Sequence, residues 1–364
     1  MSHIRLSFAA VICVSLMPVA SAQAPPPVSG CNPVGEVRFV CGQSAPEDLV
    51  TVPRTPWIVA SAMAGEGGIY VVDTVQGTSS RIFPGAGSSE RFDRNVYGAC
   101  PGPLAGDDRA SFRTHGIYLK AGPRSVHTLY AVHHGGRESI EVFELNVGTT
   151  PPAITWIGCA VAPEPIGLNA VAALPDGGFA ATNFDPRPPA GTTGAALSSK
   201  LLSGEQNGEV WEWHTKTGWV KVPGSDAAGA NGLEISSDGK WYYIAEWGSR
   251  AFMRLSRGRT PVERREIPLG FRVDNVRWAP DGKTLLVAGQ GGAVGQPQPG
   301  RGPNVQTSVI GRIDPQTMTY QEIINRTLAP GFTAATVAVQ VGDEFWVGSF
   351  RGDRISRYLI PGAK

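Results

Sequence analysis

Several polar residues stand at similar places in this chain, each just before or at the start of a predicted β-strand. They are Glu47 and Asp48, His115, Asn169, Asn231, and Asp274 with Asn275. Their side chains offer carboxylate and amide oxygens and one imidazole, and the set contains no thiolate. Ca²⁺ takes about six to eight oxygen ligands in a loose geometry, whereas Zn²⁺ prefers fewer ligands, with nitrogen or sulfur among them. If the fold brings these residues together, they predict a calcium site.

A simpler interpretation of the same residues stays open. Asn and Asp side chains often hydrogen-bond to nearby backbone groups and so begin strands without any ligand. That interpretation suits each residue taken singly. The recurrence at equivalent positions of separate units favours the shared site.

The elements that would position these residues are short β-hairpins. Four of them turn at Pro175-Asp176-Gly177, Ser237-Asp238-Gly239, Pro280-Asp281-Gly282 and Gly342-Asp343. Asp-Gly is a favoured tight-turn pair in hairpins because glycine accepts positive φ. Two earlier units, which begin near Leu49 and His115, complete a set of six that recurs every ~40–70 residues, as propeller blades do. The sequence therefore predicts an all-β fold, a six-bladed β-propeller with a central calcium-binding tunnel, and a β-sandwich ranks second.

The propeller geometry separates the two kinds of carboxylate. In a blade, four strands A to D run outward from the channel. The segments that lead into strand A lie on one face of the ring, and the Asp-Gly turns between strands A and B lie on the opposite face. The Asp-Gly aspartates are therefore predicted to form turns, while the polar residues at the start of each strand A crowd one mouth of the tunnel.

The first residues predict export. Arg5 precedes an apolar run from Leu6 to Ala20, which ends in the small residues Ala20-Ser21-Ala22. This is the pattern of a cleaved secretory signal peptide, and the run is too short to span a bilayer. We assign residues 1–22 to the signal peptide, 23–41 to an N-terminal linker and 42–364 to the propeller. The mature protein is expected to be secreted or periplasmic.

Charge and cysteine content limit the partners and the redox state. The formal net charge of +1 gives no electrostatic footprint for nucleic acid or an anionic membrane. Cys13 leaves with the signal peptide, and the remaining cysteines predict two disulfides, which we pair as Cys31–Cys41 and Cys100–Cys159. Three pairings are formally possible, and buried free thiols are the alternative. The oligomeric state is left open.

In these motifs, the chain resembles the serum paraoxonase/arylesterase family and, more broadly, the senescence-marker/gluconolactonase and strictosidine-synthase-like propellers. The resemblance runs in order from about Gly42 to Pro361. The residues that carry it are Glu47-Asp48-Leu49, Thr114-His115-Gly116-Ile117, Val132-His133-His134 with Ile140-Glu141-Val142-Phe143, Leu168-Asn169, Ala230-Asn231-Gly232 with Ser237-Asp238-Gly239-Lys240 and Tyr243-Ile244-Ala245-Glu246, and Val273-Asp274-Asn275.

The resemblance implies roles for individual residues. It assigns one catalytic calcium ion to Glu47, Asn169, Asn231, Asp274 and Asn275. It also implies that His115 and His134 assist hydrolysis as a general base and its orienting partner.

A second, structural ion is implied less well. The resemblance would hold it with Asp48, the carbonyl oxygen of Ile117 and an aspartate at the position where this chain has Ala170. The missing carboxylate should weaken that site, so we expect one calcium ion and no second one bound tightly. A disulfide between the two chain ends, which the family has, has no match because no cysteine follows Cys159.

The predicted function is hydrolysis of lactones or aryl esters. Calcium would polarise the carbonyl group, and water activated by His115, or by Glu47 or Asp274, would attack it. No Gly-x-Ser-x-Gly elbow precedes a helix, so a serine nucleophile is not predicted. Two alternatives remain: a propeller of the same superfamily with different chemistry, and an exported binding scaffold. Two long loops, Phe184 to Asn207 and Gly291 to Asn304, are expected either to form a lid over the site or to be solvated insertions.

Overall fold

The computed structural model describes residues 30–65, 67–188, 197–292, 306–328, 332 and 335–362. The first strand of this part is β1 (Arg38–Cys41). The first blade follows and consists of β2 (Leu49–Thr51), β3 (Trp57–Ala62), β4 (Gly68–Asp73) and β5 (Thr78–Phe83). The second blade consists of β6 (Ser89–Glu90), β7 (Arg113–Lys120), β8 (Val126–His134), β9 (Ser139–Asn146) and β10 (Ala153–Val161), with the short helix α1 (Gly106–Ala110) between its first two strands.

The next three blades each have four strands. The third consists of β11 (Leu168–Ala173), β12 (Phe179–Asn183), β13 (Glu209–His214) and β14 (Gly218–Lys221), with helix α2 (Ser199–Ser203) after β12. The fourth consists of β15 (Ala230–Ile235), β16 (Trp241–Glu246), β17 (Ala251–Ser256) and β18 (Arg264–Pro268). The fifth consists of β19 (Arg272–Trp278), β20 (Leu285–Gly291), β21 (Thr307–Asp314) and β22 (Thr319–Thr327).

The sixth blade joins the two ends of the chain. Its strands are β23 (Ala335–Val341), β24 (Glu344–Ser349), β25 (Arg354–Leu359) and, on the outside, β1. Strand β1 pairs antiparallel with β25, with Phe39 opposite Ser356. Residues 38–41, which the sequence assigned to the linker, therefore belong to the propeller. Backbone hydrogen bonds between β1 and β25 close the ring without a disulfide between the chain ends.

The six sheets form a ring around the innermost strands. Strand β2 contacts β7, β7 contacts β11, and the series continues through β15, β19 and β23 back to β2. The prediction of an all-β propeller with six blades is confirmed. The apolar side chains of each blade are buried against those of its neighbours, as Tyr130 of the second blade shows by contacting Phe179 of the third with ring centroids 5.6 Å apart.

The hairpin turns behave as the sequence predicts. The Asp281 carboxylate accepts the N–H groups of Lys283 and Thr284 at 2.8 and 2.9 Å, and Gly282 has a φ of 62°. Asp281 is exposed on the face away from the start of strand β19. Such an aspartate stabilises a turn and takes no part in the central cluster.

The structure has two disulfides, Cys31–Cys41 at the end of β1 and Cys100–Cys159 within the second blade, and both predicted pairings are confirmed. Neither helix of the described residues is long or apolar enough to cross a lipid bilayer. The predicted signal peptide lies outside the described residues.

Candidate functional site

Local irregularities of the innermost strands carry the polar residues. The pairing of β7, β11, β15 and β19 with the next strand shifts register at one point in each, and the same shift occurs in β23. A β-bulge of this kind interrupts the ladder and re-aims a side chain. The residues within the shifts are His115-Gly116, Asn169-Ala170, Asn231-Gly232, Asp274-Asn275 and Thr336-Val337.

Neighbouring bulges pack closely around the axis. A Cβ atom at Gly232 would lie 2.6 Å from the Cα atom of Asn275, and one at Gly116 would lie 2.3 Å from the carbonyl oxygen of Asn169. Both distances are too short for a side chain, so glycine is needed where one bulge crosses the next. This contact brings residues that are far apart in sequence into one cluster.

All five residues predicted to hold the catalytic calcium lie in this cluster. The Asn275 amide donates to Glu47 at 2.7 Å, and the Asp274 carboxyl interacts with both Asn231 and Glu47. His115 connects the fifth residue, because its Nε2 lies 3.4 Å from the Asn169 amide nitrogen and 3.8 Å from Glu47 Oε2. Each of the five is at most 7 % exposed.

Four oxygen atoms of the cluster are buried without any hydrogen-bond donor. They are Glu47 Oε2, Asn169 Oδ1, Asn231 Oδ1 and Asn275 Oδ1. A buried polar oxygen without a partner costs free energy, and native proteins rarely leave one so. Four such atoms on four of the five predicted ligands fit a cation that accepts oxygen donors.

The donor set also fits a particular kind of cation. Within the described ranges, no group of three or more His, Cys, Asp or Glu side chains is arranged to hold a metal ion. A metal bound here would therefore depend on the amide oxygens of asparagines as well as on two carboxylates. Carboxylate and carbonyl oxygens without thiolate favour Ca²⁺ over Zn²⁺.

Burial and neighbouring negative charges disfavour the ionised forms of the carboxyl groups in the cluster. Burial raises the pKa of Glu47 well above its ordinary value, and the nearby Asp274 and Asp48 raise it further. Burial likewise raises the pKa of Asp274 to about 7. A divalent cation between Glu47 and Asp274 would remove this penalty, because it stabilises both charged forms.

A chain of hydrogen bonds holds Asp274 in place from behind. The Gln290 side-chain NH₂ group donates to Asp274 Oδ2 at 2.6 Å, and the side-chain oxygen Oε1 of Gln290 accepts a hydrogen bond from the Trp247 indole at 2.8 Å. Gln290 is not among the sequence-predicted residues. Its position at the end of β20, beside the bulge of β19, is the only signal that points to it.

The two predicted histidines meet at the rim of the cluster. His115 Nδ1 lies 2.9 Å from His134 Nε2, and His134 Nδ1 lies 2.9 Å from Glu138 Oε2. The other oxygen of Glu138 accepts the backbone N–H of Leu168 at 2.7 Å, next to Asn169. Glu138 was missed in the sequence because it lies in a turn between two strands, and only its spacing of four residues from His134 hinted at a contact.

These contacts define the protonation pattern of the two rings. The carboxylate of Glu138 can only accept, so His134 carries its proton on Nδ1 and its Nε2 accepts from His115 Nδ1. The Nε2 lone pair of His115 therefore faces the cluster. Burial, and to a lesser extent His134, lowers the pKa of His115 well below its ordinary value, so its ring is neutral and can take a proton.

The residues predicted for a second ion have a different partner. Asp48 and the carbonyl oxygen of Ile117 both bind the guanidinium of Arg277, at 2.8 Å for Ile117. Arg277 lies on β19, in the same strand as Asp274 and Asn275. Nothing in the sequence pattern pointed to this arginine.

The predicted lid is described only in part. Residues 189–196 of the first loop and residues 293–304 of the second lie outside the described residues. Within the first loop, α2 begins after Ser198, which accepts a hydrogen bond from the Leu201 N–H at 3.2 Å. Phe184 contacts Trp247 with ring centroids 5.8 Å apart, so this loop packs against the next blade.

The fold and this cluster define a six-bladed β-propeller with a polar, buried centre. No family model matches the sequence, and no curated protein sequence is significantly similar to it. Similar solved structures are numerous. The luciferin-regenerating enzyme aligns with a TM-score of 0.51 and 14 % identity, over 90 % of this chain and 93 % of that one. A protein of unknown function from Bacteroides thetaiotaomicron aligns with a TM-score of 0.52 and 9 % identity, over 89 % of this chain and 75 % of that one. At these identities the likeness shows the fold alone.

Proposed function

We propose that this protein is a calcium-dependent hydrolase of lactones or aryl esters. Glu47, Asn169, Asn231, Asp274 and Asn275 would hold one calcium ion. The observation that carries the proposal is the set of four donor-less oxygens in one buried cluster, next to an imidazole with its lone pair toward them. The resemblance to the paraoxonase/arylesterase motifs supports the same choice, and the two disulfides are typical of exported proteins.

The calcium ion, when bound, would polarise the substrate carbonyl group and stabilise the negative charge that develops on its oxygen. His115 Nε2 removes a proton from the water molecule that attacks the carbonyl carbon. His134 and Glu138 stabilise the resulting imidazolium, because each accepts a hydrogen bond from the ring before it. His115 then gives the proton to the alkoxide that leaves, so that water and ester become acid and alcohol.

The cluster does not by itself select one ester. Trp247, whose indole donates to Gln290 next to Asp274, contacts Phe184 with ring centroids 5.8 Å apart, and we propose that these two rings form an apolar wall beside the polar centre. An aryl ester or the alkyl chain of a lactone would contact such a wall favourably. The relative rates of hydrolysis of aryl esters and of lactones will show which of the two classes the protein prefers.

The experiment is a hydrolysis assay with phenyl acetate and a panel of aliphatic lactones, on purified protein in calcium. We expect turnover of at least one of them. The variant Asp274→Asn should lose about 100-fold or more in kcat/KM, because it removes one of two carboxylates that hold the ion. Asp281→Asn serves as the matched control, since it changes the exposed Asp-Gly turn of the same blade and should keep wild-type rates.

Two outcomes would count against the proposal. Full activity in Asp274→Asn would show that the cluster is not the site. A complete lack of turnover on the whole panel, with calcium bound, would favour a propeller with different chemistry or a binding scaffold.

A further inference from the structure

A buried guanidinium occupies the centre of the ring beside the proposed calcium cluster. Arg277 is 5 % exposed and donates to the Asp48 carboxylate, to the Ile117 carbonyl oxygen and, at 3.1 Å, to the Leu49 carbonyl oxygen. Its other side faces Glu234, whose carboxylate lies 3.7 Å away. The arginine therefore links the innermost strands of four blades.

Both oxygens of the Asp48 carboxylate already accept hydrogen bonds from the protein. Its Oδ1 accepts the Leu49 N–H at 2.8 Å, and its Oδ2 accepts both the Ile117 N–H at 2.8 Å and the Arg277 guanidinium. The adjacent residue Glu47, by contrast, has an oxygen without a donor. Neighbouring carboxylates in one segment thus have opposite surroundings, one satisfied and one open.

The charges divide in the same way. A guanidinium stays protonated in proteins, so Arg277 supplies a permanent positive charge, which acts on Asp48 by direct contact and on Glu234 at 3.7 Å. Glu47 and Asp274 remain as two carboxylates, which match one divalent cation. Ala170 lies close to this position, because its Cα atom would be only 2.7 Å from a Cβ atom built at Gly116, the residue before Ile117. The alanine side chain has no oxygen that could bind a metal ion.

We propose that Arg277 supplies, as part of the chain, the positive charge that a second calcium ion would otherwise bring to Asp48 and the Ile117 carbonyl, and that no calcium binds there. The residues at this position thus do not fit a second metal ion. The inference concerns binding and stability and does not require hydrolysis.

The first test changes Asp48 in the intact protein. Asp48→Asn should bind as many calcium ions as the wild type, because Asp48 is not a calcium ligand, but with a lower affinity, because the Arg277 charge beside Glu47 is then unpaired. Isothermal titration calorimetry on protein freed of metal with EDTA measures both. Loss of one bound calcium in Asp48→Asn would overturn the proposal.

The second test opens the position to metal. Arg277→Ala combined with Ala170→Asp should bind one calcium more than the wild type, because Asp48, the introduced carboxylate and the Ile117 carbonyl are then free to coordinate it. Ala170→Asp alone, which keeps the guanidinium, is the control and should gain none. A double variant that folds by circular dichroism but gains no calcium contradicts the proposal.

The proposal can still be tested if the double variant does not fold or if the wild type binds no calcium. Should the double variant fail to fold, the Asp48→Asn titration still decides. Should the wild type bind no calcium at all, the proposed function fails, while the gain of an ion in the double variant still tests the role of Arg277.

Discussion

Replacement of His115 by glutamine should lower kcat by about 100-fold to 10,000-fold, the range that general-base catalysis contributes. The His115 Nε2 atom lies 3.8 Å from Glu47 Oε2 and 3.4 Å from the Asn169 amide nitrogen, at the edge of the proposed calcium cluster. The affinity for calcium should change little, because His115 contacts two predicted ligands but is not one of them. Rates on the preferred substrate and calcium titrations of both proteins measure the two effects separately.

His214→Gln is the matched control for this variant. His214 lies on β13, away from the bulges of the innermost strands, and its Nε2 atom is hydrogen-bonded to Glu212 Oε2 at 3.1 Å. It should keep wild-type kcat. If His115→Gln retains wild-type kcat as well, the base is one of the carboxylates, Glu47 or Asp274, and the proposed role of the two histidines is wrong.

Glu138→Gln should reverse the protonation pattern of the histidine pair and lower kcat by about 100-fold or more. The glutamine carbonyl oxygen can still accept the Leu168 N–H, so the fold should persist. Its NH₂ group must donate to His134 Nδ1, which moves the proton of each ring to Nε2. His115 would then present a proton instead of a lone pair to the substrate water.

Comparison with Glu138→Ala separates this effect from simple support of the fold. The alanine variant leaves the Leu168 N–H without a partner and should be less stable, but its histidines can adopt either tautomer. We therefore expect Glu138→Gln to be the more stable and the slower of the two. A purely structural role for Glu138 predicts the opposite order of rates, and ¹⁵N chemical shifts of the histidine rings report the tautomers directly.

Much of the fold could be predicted from the sequence because turn residues and short strand patterns, which are local in sequence, determine the hairpins. Asp-Gly turns such as Asp281-Gly282 mark three of the hairpins and Gly342-Asp343 marks a fourth, and two earlier units with similar strand patterns complete the six blades. The even number of cysteines predicted two disulfides, and the pairing chosen among the three possible ones is the pairing that the structure has. The outer strand β1 was assigned to the linker because its place is fixed by pairing with β25, more than 300 residues away, and no local signal carries such a contact.

In the candidate site, too, features with a local sequence pattern could be predicted and features that depend on long-range contacts could not. The proposed oxygen ligands could be recognised because each stands just before or at the start of an innermost strand, and the closed ring brings these positions close together. The residues that support them were missed. Glu138, Gln290 and Arg277 act through contacts between blades, and Arg277 meets Asp48 across 229 residues of sequence. The bulges that orient the proposed ligands also have no sequence signal of their own beyond Gly116 and Gly232.

The proposed mechanism requires one calcium ion in the cluster for hydrolysis. Calcium is titrated into metal-free protein while the heat of binding and the hydrolysis of the preferred substrate are both followed. We predict that one ion binds per chain and that the rate rises from near zero along the same curve as the binding. Undiminished hydrolysis in excess EDTA, with no calcium bound, would contradict it.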